Sequence, residues 1–243
     1  MEAPAVAPGD RAGELRLRLE AVELLRLLRR WWSLRELEEI TGVPRGALSH
    51  YVSGSRVPST GQARAIVERV LERLPPGRLL GERIRGAKGM VDTQELVLDP
   101  LVLRLASLWA SHRYRGRAGK VLAAETAGVP LATAIALGLG ADLVLARRSR
   151  ENPYRGYIRG EAGEPPFSVK VFYAPEGSLQ RGDRVLLVDD LARTGATLEA
   201  LAKIVIRAGA EPVAAVVLIA LGSEWRRRLA GLVPEALAML EIG

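Results

Sequence analysis

Residues 185–198 read VLLVDDLARTGATL, four aliphatic residues running into two adjacent aspartates and then into a small-residue turn. An apolar run bounded in this way is the pattern of a strand buried on both faces, and such strands belong to parallel sheets covered by helices. Ligands of those sheets gather at the carboxyl ends of the strands, the end at which Asp189 and Asp190 stand. The following LARTGAT precedes a helical stretch, so its small residues let successive backbone N–H groups point at one phosphate, favoured by the helix dipole. Thr194 and Thr197 add hydroxyl donors. Two carboxylates beside a phosphate cradle suit the vicinal hydroxyls of a ribose, held directly or through Mg²⁺, which prefers oxygen ligands and retained waters. The stretch reads as a phosphosugar site, and composition alone leaves open a strand end with two solvated acids. The Gly-Lys-Ser/Thr ending of a Walker loop is absent, as is the Gly-x-Gly-x-x-Gly of a dinucleotide fold.

From residue 90 onward strand-like and helix-like stretches alternate, the signature of a parallel sheet with crossover helices. Asp99-Pro100 opens a helix reaching about His112, KVLAAE is a strand and VPLATAIALGLG a helix. ADLVLARR, FSVKVFY and DRVLLVDD are further strands, the last of them central. A helix from Thr197 to Arg207, the strand PVAAVVLIAL and a last helix containing EWRRRLAGL complete the series. The fold class expected is α/β, with a central parallel sheet flanked by helices.

At 243 residues the chain has room for that domain and a smaller one. Its first third has a different character. Residues 14–30 place Leu17, Val22, Leu24, Leu25 and Leu28 at broadly helical spacing with arginines opposite. In SLRELEEITGVPRGALSHYVSGSRVPS, Ser33 and Glu36 form a capping box and Gly42 can stop the helix in a left-handed conformation. A second helix then begins with Pro44 in its first turn. Two short helices joined by a Gly-containing turn make a helix-turn-helix, with Leu37, Val43, Leu48 and Tyr51 at core positions. Arg45, Ser49, His50 and Arg56 then lie outward, with donors that suit phosphates and base edges of double-stranded DNA. An ordinary helical hairpin with a solvated arginine face fits the same spacing. A further amphipathic helix, capped by Ser59 or Thr60, leads into the Pro/Gly-rich LPPGRLLGERIRGAKGM, so the expected divisions are a helical domain at 1–75, a linker at 76–92 and the α/β domain at 93–243.

Charge adds to this division. The net charge is +7, and residues 1–88 carry 16 Lys+Arg against 11 Asp+Glu, compared with 19 against 17 in the remainder, which points the helical end toward a polyanion. Without cysteine there is no thiolate chemistry, and with His50 and His112 as the only histidines a metal would have to sit on oxygen ligands. No stretch of about 20 residues is uninterruptedly apolar. MEAPAVAPGDRAGELR has no basic start and apolar run, so a cytoplasmic protein is expected, with no membrane partner.

The 185–198 string resembles the phosphoribosyl pyrophosphate (PRPP) signature of type I phosphoribosyltransferases. The resemblance assigns Asp189 and Asp190 to the ribose hydroxyls, makes them the catalytic and Mg²⁺-binding acids, and gives the 5′-phosphate to Arg193, Thr194, Gly195, Ala196 and Thr197. AAETAGVPLATAIALGLGADLVLARR, residues 123–148, is similar to the pyrophosphate-loop segment of the adenine and orotate members. It puts Glu125, Thr126, Ala127 and Gly128 on the pyrophosphate and Arg147 and Arg148 on the PRPP phosphates. SRENPYRGYIRGEAGEPP, residues 149–166, is similar to the family's mobile hood. Two positions depart from the pattern: Ala196 stands where glycine is common, and Arg193 where enzymes carry an acid or a small residue, so Arg193 cannot serve as a general base. No residue is marked as a base reader, Trp225 and Tyr173 being candidates only as aromatics.

LEEITGVPRGALSHYVSG in turn resembles the helix-turn-helix of prokaryotic regulators, although Glu38 replaces the small residue usual at its fifth motif position. Together the two segments resemble archaeal phosphoribosyltransferase-like transcriptional regulators related to orotate phosphoribosyltransferase. That resemblance implies a homodimeric DNA-binding factor with PRPP or a nucleotide as effector. The competing reading is an active adenine- or orotate-type enzyme, Mg²⁺-dependent, with an accessory N-terminal domain. RNA binding by the basic module is a third.

Overall fold

The computed structural model describes residues 10–73, 80, 93–164 and 168–242. It divides into two compact units, Met1–Leu79 and Leu80–Gly243. Of the linker expected at 76–92, all but Leu80 lies outside the described residues, as do residues 165 and 166 of the expected hood. Counting charge by these units gives 13 Lys+Arg against 10 Asp+Glu in the first and 22 against 18 in the second. The cationic excess is therefore shared, and charge alone does not single out the helical end.

The first unit comprises α1 (Arg11–Leu28), α2 (Leu34–Thr41), α3 (Arg45–Ser53) and α4 (Thr60–Arg73). The apolar stripe of α1, from Leu17 to Leu28, is buried and packs on α3 and α4. Ser33 and Glu36 form the reciprocal capping box that starts α2, and Gly42 ends it at φ 68°. The turn is stitched by buried Thr41, which donates to the Leu37 carbonyl and accepts from the Val43 amide. Leu37 and Leu48 are fully buried. Val43, expected in the core, is half-buried, and Pro44 caps α3 from just outside its first turn.

The second unit comprises α5 (Thr93–Leu98), α6 (Pro100–Tyr114), β1 (Lys120–Ala124), α7 (Val129–Leu139), β2 (Asp142–Ala146), β3 (Tyr157–Glu164), β4 (Ser168–Pro175), β5 (Arg184–Ala192), α8 (Ala196–Arg207), β6 (Glu211–Leu221), α9 (Glu224–Leu229) and β7 (Ala236–Ile242). Five strands form a sheet in the order β2-β1-β5-β6-β7, every pair parallel. Helices α6 and α7 contribute to the core on one face, and α8, α9 and the β3–β4 hairpin to the core on the other. This is the α/β fold expected, with β5 central.

Three details correct the sequence reading. FSVKVFY does not enter the parallel sheet: β4 pairs antiparallel with β3 in a separate two-stranded sheet. The polar run expected as a hood contains a regular strand, Tyr157–Glu164. A seventh strand, β7, closes the sheet beside β6 where no element was expected. The hairpin is held on α8 at Gly160, where an added Cβ would fall 2.0 Å from the Ala200 carbonyl oxygen. Arg207, Lys203 and Arg228 donate to the carbonyls of Arg159, Glu161 and Gly163 along β3.

Candidate functional site

The carboxyl end of β5 carries the two acids into position. Asp189 is 7% exposed, and its Oδ1 accepts from the Asp190 amide at 3.1 Å. Burial, and then the adjacent Asp190 carboxylate, push the Asp189 carboxyl well above its ordinary pKa, while the positive charge of Lys170 works weakly against both. Gly128, at the start of α7, comes in from the loop after β1: a Cβ there would lie 3.0 Å from Asp189 Oδ1 and 3.2 Å from Asp189 Cα. A side chain at 128 would have to push Asp189 aside by a few tenths of an ångström, so glycine suits this close approach to the acids.

Beyond the acids the chain turns through Arg193 and Thr194 to Gly195, at φ 80°, which starts α8. A Cβ on Gly195 would meet the backbone of Trp225 at 3.0 Å. Trp225 is fully buried, so the sequence's candidate for base stacking is instead the floor on which the turn rests. Tyr173 packs edge-on against Tyr157 with centroids 6.5 Å apart. The first-turn amides of α8 have no carbonyl partner within the helix, as at every helix start, and they open on a cavity. Lys170, Asp189, Arg193, Thr194, Gly195 and Thr197 are among the residues lining this cavity of about 360 Å³. That volume lies in the range of small-ligand sites.

The structure therefore brings Asp189, Gly128 and the whole 193–197 turn together, with half-exposed Asp190 alongside. Glu125 and Arg147 meet in an ion pair of 2.9 Å, and Arg147 also pairs with Glu151. Arg148 is exposed, its guanidinium 5.7 Å from the Phe172 ring centroid. Lys170 was not foreseen. Its signal was the one charged residue in the strand FSVKVFY, and only the hairpin pairing shows where it lies.

In the helical unit Arg45, Ser49, His50 and Arg56 are all exposed, the first three on one face of α3. Glu38 takes the Arg45 guanidinium at 3.0 Å and accepts its amide at 3.2 Å. His50 Nδ1 lies 3.0 Å from Ser55 Oγ.

The family model described as "Phosphoribosyl transferase domain" matches residues 101–233. The chain belongs to the phosphoribosyl transferase family. It is similar to adenine phosphoribosyltransferase 1 of Triticum aestivum, 35% identical over 123 residues, which covers 50% of this chain and 67% of the wheat protein. It is also similar to the hypoxanthine/guanine phosphoribosyltransferase of Methanosarcina mazei, 29% identical over 150 residues, covering 60% and 76% of the two chains. Among solved structures, the adenine phosphoribosyltransferase of Rhodothermus marinus superposes with a TM-score of 0.56 at 30% identity, covering 63% of this chain and 88% of that one. The matched residues lie in the second unit, and α1–α4 lie outside them.

Members of the family typically use PRPP with Mg²⁺. Asp189 and Asp190 supply two carboxylates, and no group of three or more His, Cys, Asp or Glu comes together among the described residues. Mg²⁺ is commonly bound by one or two carboxylates plus substrate phosphates and water, so this donor set fits an ion that arrives with its substrate. Among the described residues no helix is long and apolar enough to cross a membrane.

Proposed function

We propose that the second unit binds PRPP and transfers its phosphoribosyl group to a purine base. The observation that carries this reading is the convergence of Asp189 and the 193–197 turn on one cavity, with Gly128 packed against Asp189. The turn's amides and the hydroxyls of Thr194 and Thr197 hold the 5′-phosphate. Asp189 and Asp190 accept the ribose hydroxyls, and the Glu125–Gly128 loop with Arg147 and Arg148 faces the pyrophosphate. In the transfer a base nitrogen bonds to ribose C1 as the C1–oxygen bond breaks, pyrophosphate leaves with the electron pair and the base loses a proton. Mg²⁺, held by the acids and substrate oxygens, would neutralise charge on the departing pyrophosphate. The protein's own contribution is positioning and fixed donors, not a covalent nucleophile. Adenine is the first base to test, since adenine enzymes predominate among the relatives. Pyrophosphate release from PRPP, measured with adenine, hypoxanthine, guanine and orotate with and without EDTA, tests it. Turnover with one base that ceases in EDTA supports the reading, and no turnover with any base overturns it.

The exposed face of α3 favours a second reading, a homodimeric DNA-binding regulator in which the same cavity takes PRPP or a nucleotide as effector. Arg45 and Ser49, one turn apart, would then face the major groove with His50 beside them, and Arg56 the backbone. Genomic pull-down of bound DNA tests it. Enrichment of roughly palindromic sites without pyrophosphate release would replace the enzyme reading with this one.

A further inference from the structure

We propose that Lys170, carried by the β3–β4 hairpin, is a ligand for the 5′-phosphate of the bound sugar. The proposal rests on the phosphosugar reading of the cavity and adds to it a residue from a different sheet. Lys170 sits on β4 opposite Ala162 of β3, and its Nζ donates to Thr197 Oγ1 at 3.1 Å. Thr197 belongs to the first turn of α8, whose amides open on the cavity that Lys170 itself helps line. An anion seated on those amides therefore lies within reach of the ammonium. Lysine suits this place, being a compact charge with three donors, so it can keep Thr197 while engaging an oxygen of the phosphate.

The chemistry of the cavity needs such a group. Asp189 lines it, with Asp190 next in the chain, and a phosphate dianion entering there meets the acidic end of β5. Amide dipoles favour an anion at the turn, and the ammonium of Lys170, lining the same cavity, favours it more. Arg193, exposed at the rim, approaches from the solvent side, and Lys170 from the hairpin side. The hairpin is seated on α8 at Gly160, and Lys203 and Arg228 fasten it further. Lys170 is thus held on a braced ribbon and not on a loose loop, so the phosphate is read by a preorganised cation.

Calorimetric titration with ribose 5-phosphate tests this on the full-length protein. Lys170→Met should weaken binding by about tenfold to a hundredfold, the usual loss for a charge-assisted hydrogen bond, and Lys170→Arg should recover most of it. A role confined to bracing Thr197 predicts otherwise, since the uncharged Lys170→Gln would then restore affinity as well as arginine does. Unchanged affinity in Lys170→Met overturns the proposal while leaving the phosphosugar site intact. If the wild-type protein itself binds no ribose 5-phosphate, the underlying reading fails and this proposal with it. A measurement on the unaltered chain guards against misfolded variants: saturating ribose 5-phosphate should slow acetylation of Lys170 by acetic anhydride, followed by mass spectrometry. Equal labelling with and without the sugar phosphate counts against the proposal.

Discussion

The two units carry nearly the same cationic excess, yet they hold their cations in different ways. In the α/β unit Arg113, Lys120, Arg147, Lys203, Arg226 and Arg228 each sit on a carboxylate. In the helical unit Arg18, Arg26 and Arg69 reach main-chain carbonyls of Pro58, Val52 and Thr41, fastening loops and helix ends to neighbouring helices. Short helices leave many terminal carbonyls without partners, and arginine supplies donors for them. In the α/β unit Lys120, Lys203, Arg226 and Arg228 bond a main-chain carbonyl as well as a carboxylate, whereas in the helical unit Arg35 and Arg45 sit on carboxylates. With the excess so evenly shared, anion binding in the α/β unit rests on a local device, the 193–197 turn. Net charge by itself would have hidden this.

The sharpest way to break the comparison is to unfold one unit and interrogate the other. Leu48→Ala leaves a cavity under α3, and fully buried Leu48 should cost the helical unit about 2–5 kcal/mol. Scanning calorimetry should show that loss while ribose 5-phosphate affinity stays unchanged, and an equal fall in sugar-phosphate affinity would show that the units are not separate. Gly195→Val applies the converse. Its φ of 80° is strained for any other residue, and the new Cβ meets Trp225, so a cost of about 1–3 kcal/mol is expected in the α/β unit with loss of the ligand-induced rise in melting temperature.

Asp189 gives a pH test with a defined sign. A carboxyl whose folded pKa lies above its ordinary 3.8 stabilises the fold fully below that value, and the contribution is lost as pH rises through the folded pKa. Wild type should therefore lose stability relative to Asp189→Asn as pH rises above 4, with a slope of at most about 1.4 kcal/mol per pH unit for one proton. A flat difference would mean that Asp189 ionises normally. The smallest effect is expected at Glu38→Ala, which removes the acceptor for the Arg45 amide and the partner of its guanidinium. Stability should fall by about 1 kcal/mol, as for other lost caps, while affinity for duplex DNA, read by fluorescence anisotropy, should rise if α3 meets nucleic acid.

What was legible in the sequence was local chemistry. The Ser33–Glu36 box, the left-handed stop at Gly42 and the Asp99 cap are written in neighbouring residues, and the β5 signature combines a buried run with its own turn. What was not legible depended on partners distant in the chain. Alternation in FSVKVFY identifies a strand but not whether its neighbour runs parallel or antiparallel, so β4 was misplaced. β7 reads ALAMLEI, rich in good helix formers and without valine, threonine or aromatics. It is a strand because β6 has backbone groups to pair along Ala215–Leu221, which outweighs intrinsic preference. The role of Trp225 was hidden for the same reason, since its burial under Gly195 requires two segments 30 residues apart to meet.

The three cations lying along β3 have one more consequence. A ribbon of two strands normally presents a raw margin of backbone oxygens on which a stray chain can dock, the first step toward fibrils. Here the carbonyls of Arg159, Glu161 and Gly163, alternate residues of that margin, are already taken by Arg207, Lys203 and Arg228. An incoming strand would find its acceptors occupied. The ribbon can therefore remain two strands wide in a crowded cell without a covering sheet.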